Sequence, residues 1–145
     1  MVTDGEGTPL AVHITAGQAH ESTAFEEVVT AVRVPQRRGR PRCRPKKMAG
    51  DKGYDIPWIR QWLRSRGIKA VIPEKSKPHG RRPGRPPAFE EDTYRKRNVI
   101  ERCIGWLKQA RRIATRFEKL ALNFLAMLKI AMIQRYLRTY LRDRT

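Results

Sequence analysis

The sequence predicts an α/β fold in which helices pack on a short mixed sheet. Apolar residues alternate with other residues at 10–14, and a second short apolar run at 68–73 ends in proline, so both indicate strands. Helical periodicity at residues 22–33 and 56–67 places helices next to these strands. Strands that alternate with helices are typical of α/β domains, and 145 residues suffice for one such domain with its own core.

The N-terminal residues indicate a β-hairpin followed by a helix. The D-G-E-G segment at 4–7 is a turn signal before the strand at 10–14. Only three residues precede this turn, whereas a strand has about five, so we expect an upstream portion of the fold to be missing. The helix at 22–33 has Ser22 or Thr23 as its predicted N-cap.

The middle of the chain contains two basic, proline-rich segments, at about 35–47 and 74–88, which we interpret as exposed loops. Arg-Gly-Arg-Pro within the first segment resembles an AT-hook, and residues 81–87 are a weaker echo. Such short patterns arise easily, so a solvated basic loop is the favoured interpretation. Between the two segments, the helix at 56–67 ends at Gly67, and Asp55 is its predicted N-cap.

Two long helices are predicted at the C-terminus, at about 91–112 and 120–140. At 100° per residue, the first helix carries a polar stripe about 60° wide, opposite an apolar face. The second helix is apolar around much of its circumference, but its apolar runs are too short for a membrane span. The stripe consists of Tyr94, Arg97, Glu101 and Lys108, and the predicted core residues of the last helix are Leu125, Leu128, Met132 and Tyr136.

The charge of the chain predicts a polyanionic partner. Lys and Arg total 32 against 14 Asp and Glu, which gives a net charge of +18. Nucleic acid is the first candidate and an anionic membrane surface the second. Cys43 and Cys103 lie far apart without a metal-binding spacing, and no signal peptide is present, so a cytoplasmic location is expected.

One carboxylate, Glu101, stands among cations, and two interpretations are open. It could form an ordinary ion pair with Arg97, four residues earlier. Alternatively, it could meet Asp51, which follows a short apolar segment and precedes Gly53, where a bend can present a side chain at a sheet edge. Carboxylates from different elements form a site for Mg²⁺, which can activate a water or a 3′-hydroxyl for phosphodiester chemistry.

The spacing of the polar stripe resembles the Y-R-E-K signature of insertion-sequence transposases of the Asp-Asp-Glu type. Segments such as "GQAHES", "GDKGYD" and "GRPPAF" resemble the same family in the same order, over nearly the whole chain. The resemblance implies an incomplete RNase H-like fold, DNA as partner, and a two-ion site for Mg²⁺ or Mn²⁺. It implies that Asp51 and Glu101 are the second and third catalytic acids, and that DNA is contacted by Tyr94, Arg97, Lys108, Lys52 and Arg112.

The chain departs from this family at the first catalytic acid. The family's first Asp lies upstream of the hairpin, and Asp4 belongs to the turn, so it is not a substitute. The resemblance therefore implies a C-terminal or second-frame portion of a transposase, inactive alone and completed by an upstream-frame product or a second subunit. The alternative is a noncatalytic DNA-binding protein or a truncated inhibitor of the full-length enzyme. His13, His20 and His79 share no spacing, and the first two are interpreted as packing or hydrogen-bonding residues.

Overall fold

The computed structural model describes residues 1–75 and 89–142, and the side chain of Arg142 is not among the described parts. It is a mixed α/β structure with two small two-stranded sheets, consistent with a partial RNase H-like fold. Residues 76–88, which hold His79 and most of the second predicted basic loop, lie outside the described residues. No described helix combines the length and the hydropathy that crossing a membrane requires.

The predicted N-terminal hairpin is confirmed. β1 (Val2–Thr3) pairs antiparallel with β2 (Pro9–Ala11). The Asp4 carboxylate closes the turn, since its Oδ1 accepts from the backbone N–H groups of Glu6 at 2.9 Å and Thr8 at 2.8 Å. Asp4 is thus a turn residue, as the sequence indicates. β2 is shorter than the strand predicted at 10–14.

The helix predicted at 22–33 is shorter and begins differently. One 3₁₀ turn, Glu21–Ala24, leads into α1 (Phe25–Thr30). The N-cap is His20, whose Nδ1 accepts from the Ser22 backbone N–H at 3.2 Å. The prediction of Ser22 or Thr23 as N-cap was wrong. Ser22 is buried, and its hydroxyl lies 2.6 Å from the same His20 nitrogen, so it supports the cap from inside the turn.

The second sheet joins two parallel strands through a helix. β3 (Lys47–Ala49) pairs with β4 (Lys69–Val71), and α2 (Pro57–Ser65) connects them. Proline occupies the first turn of α2, where its missing N–H costs no helical hydrogen bond. The helix ends before Gly67, which has φ +66° and so takes the left-handed conformation that closes a helix.

Asp55 does not cap α2, in contrast to the prediction. Ile56 occupies the N-cap position, and Asp55 is buried at the end of the preceding 3₁₀ turn. Its Oδ1 lies 2.7 Å from Arg60 Nε, and its Oδ2 accepts from the Lys75 backbone N–H at 2.8 Å. Arg60 also donates to the Ile72 carbonyl at 2.8 Å, so this ion pair joins α2 to the segment after β4.

The helix predicted at 91–112 is divided into three: α3 (Glu91–Arg95), α4 (Asn98–Lys108) and α5 (Arg111–Ala114). The first junction is a tightened turn, with Arg97 at the N-cap of α4 but still in right-handed helical conformation. The second is a true break, because Ala110 is extended at φ −72° and ψ 107°. The stripe that includes Tyr94 therefore spans a junction rather than one straight helix.

The last helix, α6 (Ala121–Arg142), packs through one face. Leu128 and Met132 are buried, as predicted, and Leu125 is half-buried. The prediction that Tyr136 is a core residue was wrong, since it is 41% exposed. Its ring lies at the margin because its hydroxyl donates to the Pro9 carbonyl of the hairpin.

Two hydrophobic clusters form the core, and the N-terminal hairpin contacts both. Val2, Leu10 and Ala11 belong to the first cluster, whereas Val12 and Ile14 pack on the second. The hairpin therefore connects the half of the molecule that carries Asp51 to the half that carries Glu101. The buried residues of the first cluster are Ala11, Phe25, Val28, Val29, Val32, Ile59, Leu63, Ile68 and Ile72, and those of the second are Cys103, Leu107, Ile113, Leu128, Ala131 and Met132.

Candidate active site

Asp51 lies just beyond the carboxyl end of β3, the edge of a parallel sheet where ligand sites usually form. It caps the 3₁₀ turn Lys52–Tyr54, and its Oδ1 accepts from the Gly53 backbone N–H at 2.8 Å. A Cβ at position 53 would lie only 2.8 Å from that same oxygen. Glycine at position 53 therefore leaves room for the carboxylate to fold back over the turn, which any other residue would force to shift.

The Asp51 carboxylate lines an open pocket of about 230 Å³. One wall is the turn itself, and the other is the segment that leads into α1. The pocket is mainly apolar in its lining, yet it holds two carboxylates, those of Asp51 and Glu21. The lining residues are Ala19, His20, Glu21, Ser22, Asp51, Gly53 and Tyr54.

Glu21 and Tyr54 link the two walls of this pocket. Burial raises the pKa of the Tyr54 phenol to about 12, and the negative charges of Glu21 and Asp51 and a hydrogen bond with Glu21 act in the same direction. The Tyr54 ring also packs on Phe25, with 5.9 Å between ring centroids. Sequence reasoning did not single out Glu21, although its segment "GQAHES" resembled the family. No spacing rule relates Glu21 to Asp51, because only tertiary packing brings them together.

Glu101 lies on α4 and does not belong to the second cluster. Its side chain is 60% exposed. Its Oε1 lies 2.8 Å from Arg97 Nη2, so the ion pair that the spacing allows is present. The Arg97 guanidinium in turn stacks over the Tyr94 ring, 5.5 Å from its centroid. Three members of the predicted stripe are therefore in contact across the junction between α3 and α4.

The other predicted DNA-contacting residues are exposed cations at separate places. Lys108 is in the last turn of α4, and Lys52 begins the 3₁₀ turn after Asp51. Arg112 is partly engaged, since its Nη2 lies 2.7 Å from Glu118 Oε1.

The carboxylate of Glu90, just before α3, connects the helices to the parallel sheet. Lys47 and Lys69 are paired in register on β3 and β4, and both ammonium groups reach Glu90, at 2.6 Å and 2.5 Å. Thr93 donates to the same carboxylate at 2.9 Å. Hydrogen bonds from the two lysines and Thr93 hold the pKa of Glu90 at about 2. This contact sets where α3, and α4 after it, begin relative to the strand that presents Asp51.

The described residues contain no group of three or more His, Cys, Asp or Glu side chains arranged to hold a metal ion. Within the described residues, the Asp51 carboxylate accepts from the Gly53 backbone N–H, whereas the Glu101 carboxylate accepts from Arg97. The pocket carboxylates of Asp51 and Glu21 are oxygen donors of the type that Mg²⁺ prefers. Joint binding of an ion by Asp51 and Glu101 remains a prediction.

Comparison with known proteins gives two matches. The family profile described as the transposase DDE domain matches residues 1–134. A protein from Burkholderia cepacia, named as a candidate transposase for insertion sequence element IS402, is 37% identical over 132 residues, which is 90% of this chain. The chain spans 57% of the length of that relative. No solved structure matches significantly.

Proposed function

Because the chain belongs to the DDE-domain transposases of insertion sequences, we propose that it forms part of the catalytic domain of an enzyme that cleaves and joins DNA. Asp51 is its second catalytic acid and Glu101 its third. The observation that best supports this is the placement of Asp51 in an open pocket at the carboxyl end of a parallel strand. Gly53 and Tyr54, from the turn that Asp51 caps, line the same pocket.

Members of this family generally use divalent metal ions. We propose that Asp51 and Glu101 hold Mg²⁺ or Mn²⁺, which would supply activation of a water or a 3′-hydroxyl. Glu101 is accessible and needs only to release Arg97, an exposed contact worth about 0.2–0.5 kcal/mol. Once released, Arg97 would be free to bind a DNA phosphate. In the absence of metal and DNA, the two side chains would neutralise each other.

The cations around Glu101 explain how an acidic site can work on DNA. Tyr94, Arg97 and Lys108 would contact the DNA backbone on the α3–α4 side, while Lys52 would do so beside Asp51. Arg112 would add a contact after exchanging Glu118 for phosphate. These contacts position the backbone, whereas the carboxylates carry the chemistry.

The first acid of the family has no counterpart in this sequence, so we propose that the chain alone is inactive. Activity would require that acid from an upstream-frame product, a longer polypeptide or a second subunit. DNA binding, by contrast, needs only the basic surface. The noncatalytic alternative, a DNA-binding protein or an inhibitor of the full-length enzyme, is favoured by one observation: the Arg97–Glu101 ion pair leaves Glu101 engaged.

The test uses a fusion of this chain to the part of the Burkholderia cepacia relative that it does not span. We expect the fusion to nick supercoiled plasmid DNA in Mn²⁺, and Asp51→Asn or Glu101→Gln to abolish nicking. Glu118→Gln is the matched control, since it also removes a carboxylate paired with arginine. Glu101→Gln should leave DNA affinity unchanged or raise it, because it removes a negative charge. Nicking that persists in both acid variants would reject the catalytic assignment.

A further inference from the structure

The segment between α1 and β3 carries a concentrated positive charge that the site described above does not use. Residues 28–50 contain eight Lys and Arg and no Asp or Glu. We propose that residues 36–44, here called the arginine loop, form a preorganised surface that binds the phosphate backbone of duplex DNA. The choice of DNA as partner rests on the proposed function. The assignment of the surface to this loop rests on its geometry.

An isolated β-bridge closes the stretch from Val34 to Arg42, which contains most of the arginine loop. Val34 and Arg42 exchange both backbone hydrogen bonds, at 2.9 Å and 2.8 Å. Gly39 lies at the tip with φ +86°, a conformation that glycine adopts without strain. Pro35 and Pro41 flank the tip and restrict the backbone further. The bridge and the two prolines therefore restrict the backbone of the loop before any partner binds, which lowers the entropy lost on binding.

The arginines at the tip are available to a ligand. Every residue from Gln36 to Arg44 is exposed. In the described part of the chain, Arg37, Arg38 and Arg40 take part in no ion pair, unlike Arg97, which is held by Glu101. A guanidinium fork without a carboxylate partner matches the geometry of a phosphate group. The loop also lacks the large apolar side chains with which a peptide enters a membrane surface.

The loop leads directly into the strand that presents Asp51. β3 begins at Lys47, and its three residues span about 10 Å. Asp51 follows two residues after the strand ends. The 11 residues from Arg40 to Asp51 span at most about 36–40 Å, so DNA that binds the arginine loop would pass within about one helical turn, roughly 34 Å, of the candidate active site. Contacts of this kind would fix the position of the duplex relative to Asp51.

The test measures binding of the 145-residue chain to a fluorescein-labelled 20-bp duplex by anisotropy, over a series of KCl concentrations. The triple variant Arg37→Gln, Arg38→Gln, Arg40→Gln should lower the slope of log K against log [KCl] by about 2–3, since each lost phosphate contact removes about 0.9. Affinity at 0.1 M KCl should fall at least tenfold. The same three positions changed to lysine should retain most of the slope.

The matched control removes three exposed cations elsewhere, through Arg64→Gln, Lys119→Gln and Arg138→Gln. It changes the net charge equally and should lower affinity by less than about threefold, within the range of surface electrostatics. Equal losses in the two triple variants would show that only net charge matters and would overturn the proposal. So would a wild-type chain that shows no salt-dependent binding to the duplex.

A second comparison tests the shape of the loop without changing its charge. Gly39→Val should weaken binding several-fold, because a β-branched residue is strained at φ +86°. Gly17→Val is the control, since Gly17 has an ordinary φ and open space around its Cβ position. Equal affinity of the two valine variants would refute preorganisation. Loss of plasmid nicking in Asp51→Asn leaves these binding results untouched, so the two proposals fail separately.

Discussion

The ion pair between Asp55 and Arg60 provides the sharpest test of how the fold is stabilised. Asp55 has a side chain only 1% exposed, and that of Arg60 is 11% exposed. The carboxylate accepts from Arg60 Nε at 2.7 Å and from the Lys75 backbone N–H at 2.8 Å, while Arg60 also donates to Ile72. One carboxylate therefore joins the start of α2 to the chain that leaves β4. Asp55→Ala removes this link.

The magnitude follows from what the substitution leaves behind. Arg60 would keep its charge, nearly buried, without a counterion, and breaking a buried pair in this way costs about 3–5 kcal/mol. The Lys75 N–H would lose its acceptor, which is part of that cost. A domain of this size has a free energy of unfolding of about 5–15 kcal/mol, so the variant should be severely destabilised. Asp55→Asn keeps one oxygen acceptor but replaces the other with an NH₂ donor, so one of the two hydrogen bonds is lost and the cost should be about 1.5–3 kcal/mol, the value for hydrogen bonds to charged groups.

The assay is urea unfolding followed by circular dichroism at 222 nm. Arg64→Ala is the control on the same helix, because Arg64 is exposed, and it should change the free energy of unfolding by less than about 0.5 kcal/mol. The double variant Asp55→Ala, Arg60→Met removes both charges and should recover much of the loss. A loss below about 1 kcal/mol for Asp55→Ala alone would refute the argument that this pair is a structural link.

Two further predictions concern the turn at Asp51 and the contact at Glu90. Gly53→Ala places a Cβ 2.8 Å from Asp51 Oδ1, so the cap should be lost, with about 0.5–2 kcal/mol less stability by urea unfolding; an unchanged midpoint would show that the turn adapts. The pKa of Glu90 is held at about 2, below its ordinary 4.5, so its contribution is present above about pH 4.5 and lost as the pH falls towards 2. Wild type should therefore lose more stability than Glu90→Gln between pH 5 and pH 2, and parallel pH profiles would contradict this.

Much of the fold follows from local patterns. The turn at Asp4, the α2 helix and its end at Gly67 were predicted because each depends on residues close together in sequence. The prediction of a single helix at 91–112 was wrong. The apolar residues keep a helical spacing across this range, but the backbone leaves the helical conformation within it. Ala110 is extended there, and nothing in its residue type indicates this.

The bend at Asp51 could be predicted from the sequence because it depends on neighbouring residues, and Asp51 caps this turn through the Gly53 N–H. Tyr54 belongs to the same turn as Asp51, but Glu21 could not be placed beside the two, since it lies about 30 residues earlier in the chain. The role of Glu90 could not be predicted either. Its partners Lys47 and Lys69 come together only through the pairing of β3 with β4. The same applies to the arginine loop, in which a β-bridge changes a basic, proline-rich segment into a closed structure.

Composition and short spacings predicted the α/β class and the basic surface, and the resemblance to insertion-sequence transposases implied the family and the two candidate acids. Packing between distant elements decides which side chains surround Asp51, how α3 is attached to the sheet, and which arginines of the described residues have no carboxylate partner. The difference lies in the sequence separation of the interacting residues. Turns, caps and helical stripes depend on neighbours within a few residues. Pockets, ion pairs between strands and free charges depend on packing between elements that the chain brings together from far apart.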